Sequence, residues 1–256
     1  MLEMALRTAL EKGEMHLAYQ PVVDAGSGSL TGFEALLRWD HPQFGSVSPA
    51  KFVPLAEEAR LIGPIGEWVL RTACDEAARW PGHIRIAVNV SAEQLQGAQF
   101  AATVASALGS SGLAADRLEL EVTESVFLQG HHATKVLERV MELGIRLSLD
   151  DFGTGYSSLG YLSRTKFSSI KIDRSFVTAA SKGVREAVAI IRAVVALAKS
   201  LGMATTAEGV ETEAEHAMVQ DFGCTKVQGY YFGRPLPVEE ARRLACRGFE
   251  QDARAA

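Results

Sequence analysis

A chain of 256 residues with 47% apolar side chains can bury a sizeable core and suits one large α/β domain as well as two small ones. Its formal net charge of −5 leaves no basic footprint for duplex nucleic acid, so a phosphate-bearing ligand must be met locally by a few placed cations or bound metals. Cys74, Cys224 and Cys246 form neither an even framework nor a CxxC pair, which argues against a disulfide scaffold or zinc site and for a reducing, cytoplasmic compartment.

The chain opens on MLEMALRTALEKGE, an amphipathic helix pattern carrying Glu3, Arg7, Glu11 and Lys12 in place of a signal peptide. HLAYQPVV and LTGFEALLRW follow as strand patterns, the second running into a turn at His41-Pro42. Only DAGSGSL joins them, a hairpin-length loop, so the two should pair antiparallel. AKFVPLAEEA and IGEWVLRTACDEAARW read as helices, with Ser48-Pro49 placing a cap before a proline in the first turn.

From there strands and helices alternate. IRIAVNVS, LELEVTE, IRLSLDD, SIKID, MATTAEGV and KVQGYYFG are strand patterns, separated by the helical FAATVASALGS, ATKVLERVMELG, REAVAIIRAVVALAKSLG and TEAEHAMVQDFG, with VEEARRLA last. Ser91 and Gln94 have capping-box spacing, and Gly144 and Gly202 end helices. The longest apolar run, AVAIIRAVVALA, is interrupted by Arg192 and falls short of the roughly 18 residues a membrane span needs, so no membrane contact is expected of this domain. Eight strands interleaved with helices, and no linker, imply one (β/α)8 TIM-like barrel over residues 1–256 with an irregular antiparallel first strand.

Strand periodicity then assigns faces, because alternate residues of a barrel strand meet the helices or the interior. Ile84, Ile86, Val88 and Val90 face the helices and leave Asn89 inward; Leu118, Leu120 and Val122 do the same for Glu121, and Ile145, Leu147 and Leu149 for Asp150. Ile170 and Ile172 turn Lys171 inward, and Phe33, Ala35 and Leu37 turn Glu34 and Arg38 inward. All lie near the C-terminal strand ends, the face where barrel enzymes place their sites, and Glu208 and Gln228 join them with less clean parity.

Five strand-end acids and Asn89 converging on one mouth would repel and desolvate one another prohibitively unless cations sat among them. The donors are all oxygen, which favours Mg²⁺ or Mn²⁺ over zinc. Adjacent Asp150 and Asp151 can serve two ions, and a two-metal centre that deprotonates a water for in-line attack on phosphorus is the natural chemistry. Lys171 supplies a compact charge to orient that water or steady the phosphoryl oxygens.

YQPVVD, EALLRW, NVSAEQL, EVTES, DDFGTGYSSL, KIDRSFV, AEGVET and QGYYFGRPLP occur in the order and near the spacing of the EAL-domain cyclic-di-GMP phosphodiesterases, which this sequence resembles over almost its full length. The resemblance implies hydrolysis of cyclic di-GMP to linear 5'-pGpG. It implies one metal held by Glu34, Asn89, Glu121 and Asp150, a second served by Asp150, Asp151 and Glu208, and inhibition by Ca²⁺ displacing Mg²⁺. Lys171 would contact the catalytic water, with Glu208 near it in a role also read in the family as general base. Arg38 would meet a substrate phosphate, with Leu36 and Gln228 also on the substrate side, Gln228 near the metal and water shell. Glu124 would anchor the loop DDFGTGYSSLGYL, linking metal binding to dimerisation, and Glu211 would support the ligands from behind. Such domains usually follow a GGDEF or sensor domain, so a fragment excised from a longer signalling protein, acting as a homodimer, is expected.

Two readings compete with this one: a catalytically silent receptor for the same nucleotide, and a barrel enzyme in which Mg²⁺ and Lys171 abstract a proton next to a carboxylate. Asn89 and the paired aspartates suit phosphate better than the second. The six histidines, His16, His41, His83, His131, His132 and His216, read as surface or structural residues, and Trp39, Trp68 and Trp80 as packing. Guanine stacking would fall to Tyr231 or Phe232. Parity also turns Arg85, Glu119 and Arg146 inward, deeper in the barrel, which predicts a buried Arg-Glu-Arg cluster.

Overall fold

The computed structural model describes residues 1–97, 99–128, 131–153, 162 and 165–248. Its strands are Met15–Asp24 (β1), Leu30–His41 (β2), Gly45–Val47 (β3), Arg85–Asn89 (β4), Leu118–Thr123 (β5), Arg146–Phe152 (β6), Ser169–Ile172 (β7), Ala204–Ala207 (β8) and Lys226–Gln228 (β9). The helices are Leu2–Leu6 (α1), Pro49–Glu58 (α2), Ile62–Ala77 (α3), Phe100–Ser111 (α4), Ser125–Leu128 (α5), His131–Glu142 (α6), Arg174–Ser181 (α7), Arg185–Ser200 (α8), Glu213–Asp221 (α9) and Val238–Arg247 (α10). The sheet order β1-β9-β8-β7-β6-β5-β4-β2, with β1 also pairing β2, closes a ring of eight strands, and β3 hangs from the end of β2. β1 runs antiparallel to both its neighbours, as the short loop after it requires, and the other ring pairs are parallel.

The alternation read from the sequence is the alternation that packs. Ile86, Val88, Leu118, Leu120, Val122, Leu147, Leu149, Ile170 and Ile172 are at most 1% exposed, sandwiched between strands and helices. Each such side chain contributes roughly 1.5–3 kcal/mol relative to an exposed one. The helices answer with apolar stripes at helical spacing, as in α8, where Ala187, Ile191, Val194 and Ala198 are buried. Trp39 and Trp80 are core residues too, their indole N–H groups held by Glu14 and Glu76.

Two local expectations are corrected and one is met. The first helix stops at Leu6, where the Thr8 hydroxyl turns back to the Ala5 carbonyl and turns follow to Gly13. Ser48 precedes Pro49 at the first position of α2, but its side chain makes no capping bond. The Ser91–Gln94 capping box forms in full, on a 3-10 turn over Ala92–Gln96. The short strand β3 and the helix α7 were not anticipated.

The Arg85–Glu119–Arg146 cluster does not form. Among the described residues no ion pair joins these side chains: Glu119 takes a hydrogen bond from Ser169 and lies 3.8 Å from the Lys226 ammonium, and Arg146 donates to the Asp116 carbonyl. Parity gave the correct face for Glu119, but β9, arriving from the far side of the ring, supplies the nearer cation.

Candidate active site

The inward residues of six strands meet at the C-terminal mouth around one side chain. Lys171, 2% exposed on β7, has its ammonium 2.7 Å from Glu121 on β5, 2.7 Å from Glu208 just after β8, 3.3 Å from Asp150 on β6 and 3.5 Å from Glu34 on β2. Glu34 is held at both oxygens: Asn89 Nδ2 donates to Oε1 at 2.6 Å and Gln228 Nε2 to Oε2 at 2.6 Å. The strand register explains the convergence, since Asn89 stands beside Glu121 and Lys171 beside Thr206 in adjacent parallel strands.

Four carboxylates facing one ammonium leave a buried excess of negative charge. Burial, then repulsion from Glu34 and Asp150, pushes the Glu121 carboxyl well above its usual range although Lys171 opposes this. Burial, with Asp150 and Glu34 nearby, pushes Glu208 up to about 8 against the pull of Lys171. In Glu34 the upward effect of burial is outweighed by Lys171 and by the amide donors, so its carboxyl lies below the ordinary value. Lys171 goes the other way: burial alone would lower it, but the surrounding carboxylates hold it well above a free lysine.

Asp151 adjoins the ring. It is exposed, with an uncommon positive φ of 53°, and its backbone N–H donates to Asp150 Oδ1 at 2.9 Å. Partial desolvation on the side facing the ring, then Asp150 and Asp173, raise its carboxyl. Oxygens of Asp150, Asp151 and Glu208 lie within 4.8 Å of one another, and no histidine or cysteine joins this group among the described residues. An all-oxygen set with surplus charge fits hard divalent cations.

Arg38 and Leu36 stand apart from the ring. Both line a neighbouring cavity of about 850 Å³ that Asn89 shares and that reaches to Pro54 and Glu57 between α2 and α3. Arg38 is half-buried, with Nη1 on its own Leu37 carbonyl at 3.0 Å. Glu124 is buried, and its Oε1 accepts from the Gly153 N–H at 2.9 Å, tying the start of the loop after β6 to the end of β5. The rest of that loop, residues 154–161 and 163–164, lies outside the described residues. Phe232 packs edge to face against both Tyr231 and His216, and Tyr231 lies tilted against His216, whereas Tyr230 is exposed beneath the Arg234 guanidinium.

Glu211 does not touch the ring: it pairs with Arg174 at 2.7 Å, at the start of α7. Between Glu208 and Glu211, Gly209 has φ +66° and lies under the Arg174 stem, and a Cβ there would come within 2.2 Å of Arg174 Cγ. Across the loop, a Cβ on Gly229 would fall 2.0 Å from the Val210 carbonyl oxygen. Two glycines therefore let Arg174 and β9 close on the segment that carries Glu208. Arg174 and Gln20, which accepts from Gln228 at 3.2 Å, were missed in the sequence; the alternation of HLAYQPVV places Gln20 on the inner face.

A model of the EAL domain family matches residues 3–235, a span containing every residue gathered around Lys171. The bifunctional diguanylate cyclase/cyclic di-GMP phosphodiesterase MucR of Pseudomonas aeruginosa is 46% identical over 240 residues, 92% of this chain and 35% of its own length. The cyclic di-GMP phosphodiesterase NbdA of the same organism is 43% identical over 257 residues, 98% of this chain and 33% of its own. The chain thus spans about a third of the length of these curated relatives. The solved structure of the PaMucR phosphodiesterase in its c-di-GMP complex aligns with a TM-score of 0.90 at 43% identity, covering 94% of this chain and 100% of that one. Barrel, reversed first strand and strand-end cluster all fall inside the matched region, and the chain belongs to the EAL domain family.

Proposed function

We propose that this chain hydrolyses one phosphodiester bond of cyclic di-GMP, releasing linear 5'-pGpG. The observation that carries the reading is the convergence of Glu34, Glu121, Asp150 and Glu208 on Lys171, with Asp151 beside them, in a family whose relatives are named for this activity. Glu34, Asn89, Glu121 and Asp150 would hold one divalent cation, Mg²⁺ or Mn²⁺, and Asp150, Asp151 and Glu208 a second. Bound there, the ions would supply charge neutralisation and acidify a water.

The chain's own groups do the rest. Lys171, fixed by its carboxylates, keeps a positive charge beside the attacking water and the phosphoryl oxygens. Glu208, 2.7 Å from the Lys171 ammonium, is the carboxylate placed to take the water's proton once cation binding keeps it ionised. The water oxygen bonds to phosphorus, the P–O3' bond breaks, and the proton balance returns a 3'-hydroxyl on the leaving nucleotide. Arg38, at the edge of the 850 Å³ cavity, grips a substrate phosphate, and Leu36 lines the same wall. The same reading has the module act as a homodimer downstream of a GGDEF or sensor domain, in keeping with relatives about three times its length.

Incubating the pure chain with cyclic di-GMP and Mg²⁺ tests the proposal by chromatography of the products. Linear dinucleotide, absent when EDTA is added, supports it; nucleotide binding without any linear product would establish the receptor reading in its place.

A further inference from the structure

Gln228 is 4% exposed, and its amide nitrogen serves two acceptors, Glu34 Oε2 at 2.6 Å and Gln20 Oε1 at 3.2 Å. Its amide oxygen is buried and finds no hydrogen-bond partner among the described residues. Such an oxygen costs about 1–3 kcal/mol unless a donor reaches it. Immediately beneath the ring of carboxylates lies a small space of about 30 Å³, walled by apolar residues such as Val22, Phe33 and Ala87 and by the polar Gln228, Lys171 and Thr206 among others. That is room for one water, with polar groups among the lining side chains to hold it.

The terminal torsion of a glutamine is broad, so a single hydrogen bond to Glu34 would leave the amide plane free to turn. A second acceptor fixes it. Gln20 stands directly opposite Glu34 in the antiparallel β1–β2 pair, which is the position from which it can do so. We propose that Gln20 is a positioning residue: by taking the second amide hydrogen of Gln228 it locks that amide so that one hydrogen steadies Glu34 and the oxygen receives a single buried water on the barrel axis. Gln20 acts through Gln228 and is given no contact with substrate. The inference about ion binding rests on the metal-site reading above; the inference about the amide and its water does not.

The test uses the whole chain with Gln20→Met, which keeps length and loses the acceptor, and Gln20→Glu, which keeps an acceptor. Metal-free crystal structures of the wild type and Gln20→Met read the geometry directly. The expected result is one water on the Gln228 amide oxygen in the wild type and a rotated or disordered amide in Gln20→Met; a dry space in the wild type, or an unmoved amide in the variant, overturns the proposal. Mn²⁺ titration followed by electron paramagnetic resonance, without substrate, reads the consequence. Gln20→Met should bind about tenfold more weakly with an unchanged melting temperature, the scale typical of outer-sphere partners, while Gln20→Glu retains wild-type affinity or better. Wild-type affinity in Gln20→Met also overturns it. A wild type that binds Mn²⁺ yet makes no linear product would defeat the phosphodiesterase reading and leave this one standing.

Discussion

Replacing Lys171 with methionine removes the ammonium that stands within 3.5 Å of four carboxylates while keeping much of the side chain's length and apolar bulk. Breaking a buried ion pair on one side typically costs about 3–5 kcal/mol, because a charge is left without compensation. Here several charges lose one partner, so the upper half of that range applies in EDTA at neutral pH. For a domain of this size about 4–5 kcal/mol lowers Tm by roughly 8–20 °C. Protons can replace part of the lost charge, so the penalty should grow as pH rises. Divalent ions should return more of it to the variant than to the wild type, which gains about 2.7 kcal/mol per site at a hundred times Kd. Thermal unfolding at pH 6 and pH 8, with EDTA and with Mg²⁺, measures all four quantities, and turnover should fall at least about a hundredfold. A variant that melts with the wild type in EDTA, or turns over at the wild-type rate, would refute the argument that this lysine balances the cluster and serves its chemistry.

Glu34→Ala should abolish turnover and leave the circular dichroism spectrum of the barrel intact, since it removes an acceptor from Asn89 and Gln228 but no core side chain; near-normal activity would show that Glu34 holds no ion. Excess Ca²⁺ should inhibit the Mg²⁺-supported reaction, because its larger coordination sphere fits a tight water-activating centre poorly, and undiminished turnover counts against this. In the metal-free protein Glu208 binds its proton more tightly folded than unfolded, so its contribution to stability is complete below pH 4.5 and is lost as pH rises toward about 8; denaturant melts across that window should slope downward in EDTA and flatten with Mg²⁺. At the opposite side of the barrel wall, buried Glu76 takes two hydrogen bonds from Arg242 of α10, at 2.9 and 2.6 Å, and one from Trp80. Arg242→Ala should therefore lower Tm and leave turnover unchanged, and an unaltered Tm would show that α10 is held by its apolar face alone.

Most of the site was legible in the sequence because strand parity is a strong signal where one face must be apolar. Ile86 and Val88, Leu118 and Leu120, Leu147 and Leu149 could face only the helices, and this alone aimed Asn89, Glu121 and Asp150 at the axis. Parity carries no information about which cation lies nearest, so Glu119 was matched to Arg85 and Arg146 although Lys226 and Ser169 are its partners. Nor does it foresee contacts that run through glycines: the Arg174 stem over Gly209 depends on a side chain being absent. Helix α7 was missed because it is only eight residues long and follows so closely on KID, with Asp173 of that motif as its cap, donated to by the Ser175 N–H. Arg38 took the expected side of its strand but lies at the cavity wall, since β2 continues to His41, well past the level of the carboxylate ring.

The reversed β1 also bears on how the molecule comes together. Its pairing with β2 is a hairpin between neighbours in the chain, a local and rapidly formed contact, whereas its pairing with β9 joins Val22 to Gln228 across most of the sequence. Loop closure over so long a span is the slow, entropically costly part of building the ring. That late pairing is also what brings the Gln228 amide to the Glu34 carboxylate. The chain therefore acquires its complete constellation at the moment the barrel seals, and a nascent or truncated form that stops short of Lys226–Gln228 has the strand-end acids without the partner that seats them.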